Sequence, residues 1–252
     1  MRSLSASELL SIWERGAGGT PVDQALAILS IVFPRAQPDL LARLDIVQRD
    51  LCLLELRART FGSQIEGIAD CPACNQRLEF DFDARQLPAP DSLLPDPGTM
   101  QPSTPETYLV PNGYEVTCRL PNSADLARVV RSVDQASGRQ QLLEACILAV
   151  QQDGEARTAS DLPAEAVDLL VEQMSQNHPV SNLLLQVTCP DCATTWELIF
   201  DIVSYFWDEI HAWSRRLVHE VHTLAMAYGW READILGMSA WRRQQYLEMI
   251  GV

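Results

Sequence analysis

Lysine is absent from this chain of 252 residues, so arginine supplies all 19 of its basic side chains. That absence excludes Schiff-base catalysis and the phosphate-binding P-loop, both of which depend on a lysine amine. The glycine-rich stretch Gly16-Ala17-Gly18-Gly19 is therefore not a nucleotide cradle; it reads as the end of one helix, with Thr20 capping the next and Pro21 at its first position. Also missing is any apolar run of the roughly 20 residues that span a bilayer, and the N-terminus has no uninterrupted apolar stretch of signal-peptide length. The cytoplasm is therefore the expected compartment. No serine lies in a G-x-S-x-G elbow, and the alternating Glu79, Asp81 and Asp83 read as a solvated strand face, so no enzymatic activity is expected.

Positive charge is scarce as well. Nineteen arginines face 34 carboxylates, for a net charge of -15. The excess acid is concentrated in the middle of the chain, which argues against binding nucleic acid, because phosphate contact needs a basic surface. A zinc-ribbon adaptor for nucleic acid or another regulatory partner is the alternative reading, and a hydrolase with an unrecognised site is a further competitor.

What the chain does have is a repeat. CPACNQRLEFDFD from Cys71 and CPDCATTWELIFD from Cys189 agree at both cysteines, the proline, Glu79/Glu197, Phe82/Phe200 and Asp83/Asp201. One C-x-x-C pair supplies two of the four ligands of a tetrahedral zinc, and the second pair completes the set. Cys71, Cys74, Cys189 and Cys192 are thus predicted to hold one structural zinc, with no open position for catalysis. The remaining Cys52, Cys118 and Cys146 lie in apolar runs and read as core residues. His211, His219 and His222 invite a second metal site, but H-E-V-H is one residue short of H-E-x-x-H, a displacement of about 100° around a helix. They read as surface or interface histidines.

The periodicities predict an α+β protein with helical N- and C-terminal segments around a small bipartite four-cysteine ribbon. Residues 1–62 form a helical unit, with helices from Ser5 or Ser7, over Val22–Phe33 and over Asp39–Phe61 with a break near Asp45, closed by Gly62. Residues 63–86 and 182–203 form the ribbon. Residues 87–181 are an insertion: a Pro-rich linker over Leu87–Pro105, a hairpin around Asn112-Gly113, and helices over Leu126–Val133, Arg139–Val150 and Pro163–Gln176. Residues 204–252 are a helical tail, with a long helix to Tyr228 ended by Gly229, a short one over Arg231–Leu236 and a last one capped by Ser239.

The tail resembles that of small proteins encoded with contractile phage tails and phage-derived injection systems. The resemblance rests on His222, Tyr228, Trp230, Glu232, Ile235, Leu236, Arg242, Arg243, Tyr246, Leu247 and Ile250. Gln48-Arg49-Asp50, Leu53-Leu54-Glu55-Leu56-Arg57, Phe61-Gly62 and the Leu120-Pro121 step extend it forward, and the chain looks like the T4-type baseplate hub assembly chaperone family, in a zinc-ribbon-containing subgroup. The resemblance implies a non-enzymatic role in assembling or completing a baseplate, with hub or spike proteins as partners. Independently, Trp230, Arg231, Trp241, Arg242, Arg243 and Tyr246 give the tail the aromatic and arginine content of interface hot spots and are its candidate partner-binding residues.

Overall fold

The computed structural model describes residues 1–86, 101–130, 134–178 and 183–251. Four helices open the chain: α1 (Ala6–Gly16), α2 (Pro21–Val32), α3 (Pro38–Arg43) and α4 (Ile46–Phe61). Their boundaries follow from short-range chemistry. Ser5 and Thr20 each form a reciprocal capping box, with Glu8 and Asp23 respectively. The break near Asp45 is real: its carboxylate accepts from the Gln48 amide and starts α4.

Strands β1 (Gln64–Asp70) and β2 (Arg77–Asp83) form one antiparallel hairpin, and β7 (Leu184–Thr188) and β8 (Thr195–Ile199) form another. Between them lies a four-stranded antiparallel meander of β3 (Glu106–Val110), β4 (Tyr114–Cys118), β5 (Ile147–Gln152) and β6 (Glu155–Arg157). Helices α5 (Ser123–Val129), α6 (Gln135–Cys146) and α7 (Ala164–Asn177) accompany it, and α7 covers the buried face of Tyr108, Val116 and Val150 through Ala166 and Leu170. The chain ends in α8 (Ile202–Tyr228), α9 (Glu232–Leu236) and α10 (Ala240–Met249). The architecture is α+β.

Two readings of the insertion need correction. Arg139–Val150 is not one helix: α6 stops at Cys146 and Ile147–Gln152 pairs with β4. Asp153 and Gly154 both have positive φ, 52° and 82°, so an Asp-Gly turn reverses the chain into β6. The stretch Ile147–Val150, rich in branched side chains, is more stable filling a sheet than extending a helix. The helix predicted over Leu126–Val133 begins earlier, at Ser123, with Asn122 as its cap. Residues 131–133 and the 87–100 part of the predicted linker lie outside the described residues; 101–105 has no regular structure.

The main core joins distant parts of the sequence. Leu9, Ile12, Ile28, Leu29, Leu51, Leu53 and Leu56 of the first four helices pack with Ile65 of β1 and with Ile202, Phe206 and Ile210 of α8. The approach of α1 to α8 is close enough that a Cβ on Gly16 would sit 2.4 Å from the Trp207 ring. Arg57 ties the same elements together. Its buried guanidinium binds Glu209 of α8 through two nitrogens at 2.9 and 2.6 Å, and donates to the Gly62 carbonyl at 2.7 Å. It also lies 5.3 Å from the centre of the Tyr205 ring, whose hydroxyl bonds both backbone groups of Glu66 in β1.

Candidate metal centre

The two C-P-x-C turns have the same backbone. The Cys71 amide donates to the Gln76 carbonyl and the Asn75 amide to the Cys71 carbonyl, both at 2.9 Å. In the second copy the Cys189 amide donates to Thr194 at 2.9 Å and the Ala193 amide to Cys189 at 3.0 Å. The residue after the second cysteine is left-handed each time, with φ of 56° at Asn75 and 58° at Ala193. Asparagine tolerates that region; alanine occupies it at a cost of about 1–2 kcal/mol. Both strand pairs flanking the turns share one register, Asp70 opposite Arg77 and Thr188 opposite Thr195.

Each hairpin presents one buried and one exposed cysteine, and the two sets interlock. Cys71 and Cys189 are buried, Cys74 and Cys192 exposed. The Sγ atoms of Cys71 and Cys192 are 3.6 Å apart and those of Cys74 and Cys189 are 3.7 Å apart, each contact crossing from one hairpin to the other. All four sulfurs lie within 4.8 Å of one another. Thiolates at about 2.3 Å from a tetrahedral ion are separated by about 3.8 Å, so the four can hold one metal ion. Among the described residues no other group of three or more histidines, cysteines and carboxylates converges in this way.

The electrostatics point the same way. Hydrogen bonds from the Thr194 hydroxyl and amide hold the Cys192 thiol down to about 6. Cys74 is pushed up to about 12: the Gln76 amide favours its thiolate, but desolvation and the three neighbouring sulfurs outweigh that bond. Four clustered sulfurs cannot all ionise against one another unaided, whereas a bound cation deprotonates its thiol ligands outright. Cys52, Cys118 and Cys146 differ in kind. Burial pushes them up to about 12, 12 and 11, and they sit protonated in apolar surroundings.

The repeated residues other than cysteine explain how the centre is seated. Phe82 and Phe200 meet edge to face at 5.2 Å, one from each copy, at the base of the clasp, and Phe200 also contacts Tyr205. Asp83 and Asp201 each cap the turn that follows, accepting from the amides of Arg85 and Val203 at 2.9 and 3.0 Å. Around the sulfurs the apolar packing amounts to Leu78 with partly buried Val187 and Trp196. So small a cluster cannot hold two hairpins together by burial alone, which is the usual circumstance of a structural metal.

The other sequence candidates separate into two groups. Arg243 is buried, bonding Glu220 at 2.9 Å and the Met238 carbonyl at 2.8 Å. Trp230 stacks on Tyr228 at 4.4 Å and meets Tyr246 edge to face at 4.7 Å, so these rings join α8, α9 and α10. Arg231, Trp241 and Arg242 are exposed, with Arg242 5.8 Å from the Tyr246 ring centre. His211 accepts from the Trp13 indole at 2.8 Å and pins α8 to α1. His219 and His222 are exposed about two and three turns further along α8.

A family model described as T4 bacteriophage base plate protein matches residues 15–207. The matched span includes Gln48-Arg49-Asp50, Arg57, both cysteine turns and the start of α8; it stops before Glu209 and the tail motif on which much of the sequence resemblance rests. No curated protein and no solved structure matches the chain.

Proposed function

The chain belongs to the T4 bacteriophage base plate protein family, and on that premise we propose that it is a non-enzymatic assembly or structural protein of a contractile-tail baseplate, binding hub or spike proteins. The observation that carries this reading is the family match over 15–207, which takes in α2 to α4 and both halves of the four-cysteine cluster. The baseplate assignment follows from the family; the hub or spike partner, the contractile particle and a chaperone role are the proposal's own content. Zinc is the proposed ion, because four thiolates in a tetrahedron suit a soft-accepting ion without a redox role. Full thiolate coordination leaves no place for substrate, so the metal serves shape. It clasps the hairpin that leaves the α4 core to the hairpin that enters α8.

Removing the gene from its phage or host and imaging tails by electron microscopy tests the reading. Tubes and sheaths without completed baseplates are expected, with purified protein capturing co-expressed hub or spike protein and carrying about one zinc per chain. Normal tails from the deletion strain would refute the baseplate role. A purified chain with four freely reactive thiols and no metal would refute the zinc while leaving the family untouched.

A further inference from the structure

The distal part of α8 and the helices that fold back on it, like residues 1–60 with seven arginines and seven carboxylates, lack the excess acid that the middle of the chain carries. From residue 210 onward there are five arginines and four carboxylates, whereas residues 1–209 hold 14 arginines and 30 carboxylates. Between α8 and α10 lies a groove of about 520 Å³, lined by Arg215, Arg216, His219, Glu220, Gln244 and Leu247. Its size falls in the range of roughly 300–1,000 Å³ that accommodates a small ligand or a few side chains.

The groove is cationic in effect. Arg215 and His219 are four residues apart and Arg216 and His219 three, so all three project along one side of α8. They are exposed, and their side chains make no hydrogen bond or ion pair among the described residues. The one lining carboxylate, Glu220, is already engaged by buried Arg243, which holds it at 2.9 Å. Leu247 gives an apolar floor, and Trp241, 73% exposed, stands three residues before Gln244 on α10.

We infer that this groove docks an acidic segment of another tail protein, with Arg215 and Arg216 pairing with its carboxylates. The arginine fork matches a carboxylate in two-point geometry, and exposed Trp241 offers an anchor at the rim. Charge complementarity selects the occupant: Arg215, Arg216 and His219 line the groove, and its one lining carboxylate is taken by Arg243, so the groove attracts an acidic segment. A nucleic acid strand would need a longer basic track than two arginines and a histidine, on a chain less acidic than this one. The inference rests on the baseplate reading for the source of the segment, and adds the surface and its chemistry.

The test uses the full chain and a fluorescein-labelled hexaglutamate peptide, followed by fluorescence anisotropy at low salt, beside hexaglutamine and a short oligothymidylate. Saturable hexaglutamate binding is expected, weakened roughly tenfold or more in R215E/R216E, with the thermal melting curve unchanged because both arginines are exposed. Equal binding by the variant, tighter binding of oligothymidylate, or a concentration-dependent dimer that R215E/R216E abolishes would each overturn the inference, the last two by assigning the groove to nucleic acid or to a second copy. Complementation separates this from the broader reading. If deletion of the chain breaks tails and R215E/R216E restores them, only the groove assignment fails; if deletion leaves tails intact, the baseplate role fails whatever the peptide does.

Discussion

Cys71→Ser and Cys189→Ser should lose the same stability, and the double variant should lose little more than either. Cys74 and Cys189 are 115 positions apart, and Cys71 and Cys192 are 121. A metal gripping both turns closes that loop in the unfolded chain as well as in the native one. Treated as a cross-link over a loop of this length, it removes conformational freedom worth about 5 kcal/mol. The cluster of Leu78, Val187 and Trp196 is too small to compensate, and a domain of this kind has only about 5–15 kcal/mol in all. Losing one ligand should therefore lower the melting temperature on the order of 10–20 °C. The assay is urea unfolding of the parent and the three variants, with native mass spectrometry for bound metal. Because either serine disables the same ion, the two effects should fail to add in a double-mutant cycle. Additive losses, or a silent substitution at either turn, would refute a shared metal; a chelator that leaves the parent's midpoint unmoved would refute the clasp itself.

Other expectations concern the frame around the clasp. Arg57→Ala should cost about 3–5 kcal/mol, since it strands Glu209 and the Gly62 carbonyl, and Arg57→Lys should restore little because an ammonium cannot reproduce the two-point contact; a wild-type urea midpoint for the lysine variant would sink that account. Asp125 is buried and pairs with Arg119 and Arg128: burial opposes its charge, but the Arg119 guanidinium and the Asn122 amide win and hold its carboxyl below the usual range. Its stabilisation is thus complete above the unfolded value of about pH 4 and lost as the pH falls through the lower folded value, and acid titration of Asp125→Asn should lack that component. Ala193→Gly should stabilise by about 0.5–1 kcal/mol through relief of its left-handed backbone, while Asn75→Ala should destabilise by a similar amount; thermal unfolding of the metal-loaded protein would show opposite shifts, and shifts of one sign would contradict the turn geometry.

Local signals carried far in this chain. Ser5 with Glu8, Thr20 with Pro21, and Asp45 mark helix starts because a cap is a contact across three residues, written wholly in the nearby sequence. Gly62 and Gly229 mark ends for the same reason, as each adopts the positive φ that closes a helix. The predicted helix fails at Ile147–Val150, where apolar residues suit helix or strand alike and the choice belongs to β4, some thirty residues away. Asp153-Gly154 is the local signal for the turn that pairs this strand with β6. The tail's aromatic and arginine residues read as one interface in sequence, yet Trp230, Tyr246 and Arg243 are engaged in holding α8, α9 and α10 together. Arg215 and Arg216 looked unremarkable because nothing in a linear pattern shows which charges lack a partner.

By itself the sequence determined that four cysteines form two equivalent turns suited to one ion, since the repeat and the ligand count are properties of composition and spacing. Only the tertiary structure decided that the turns interlock across the hairpins, Cys71 with Cys192 and Cys74 with Cys189, and that Phe82 rests on Phe200 beneath them. Spacing fixes how many ligands exist, but where they meet depends on the core of α1–α4 and α8 bringing residue 65 beside residue 202, which no local preference encodes.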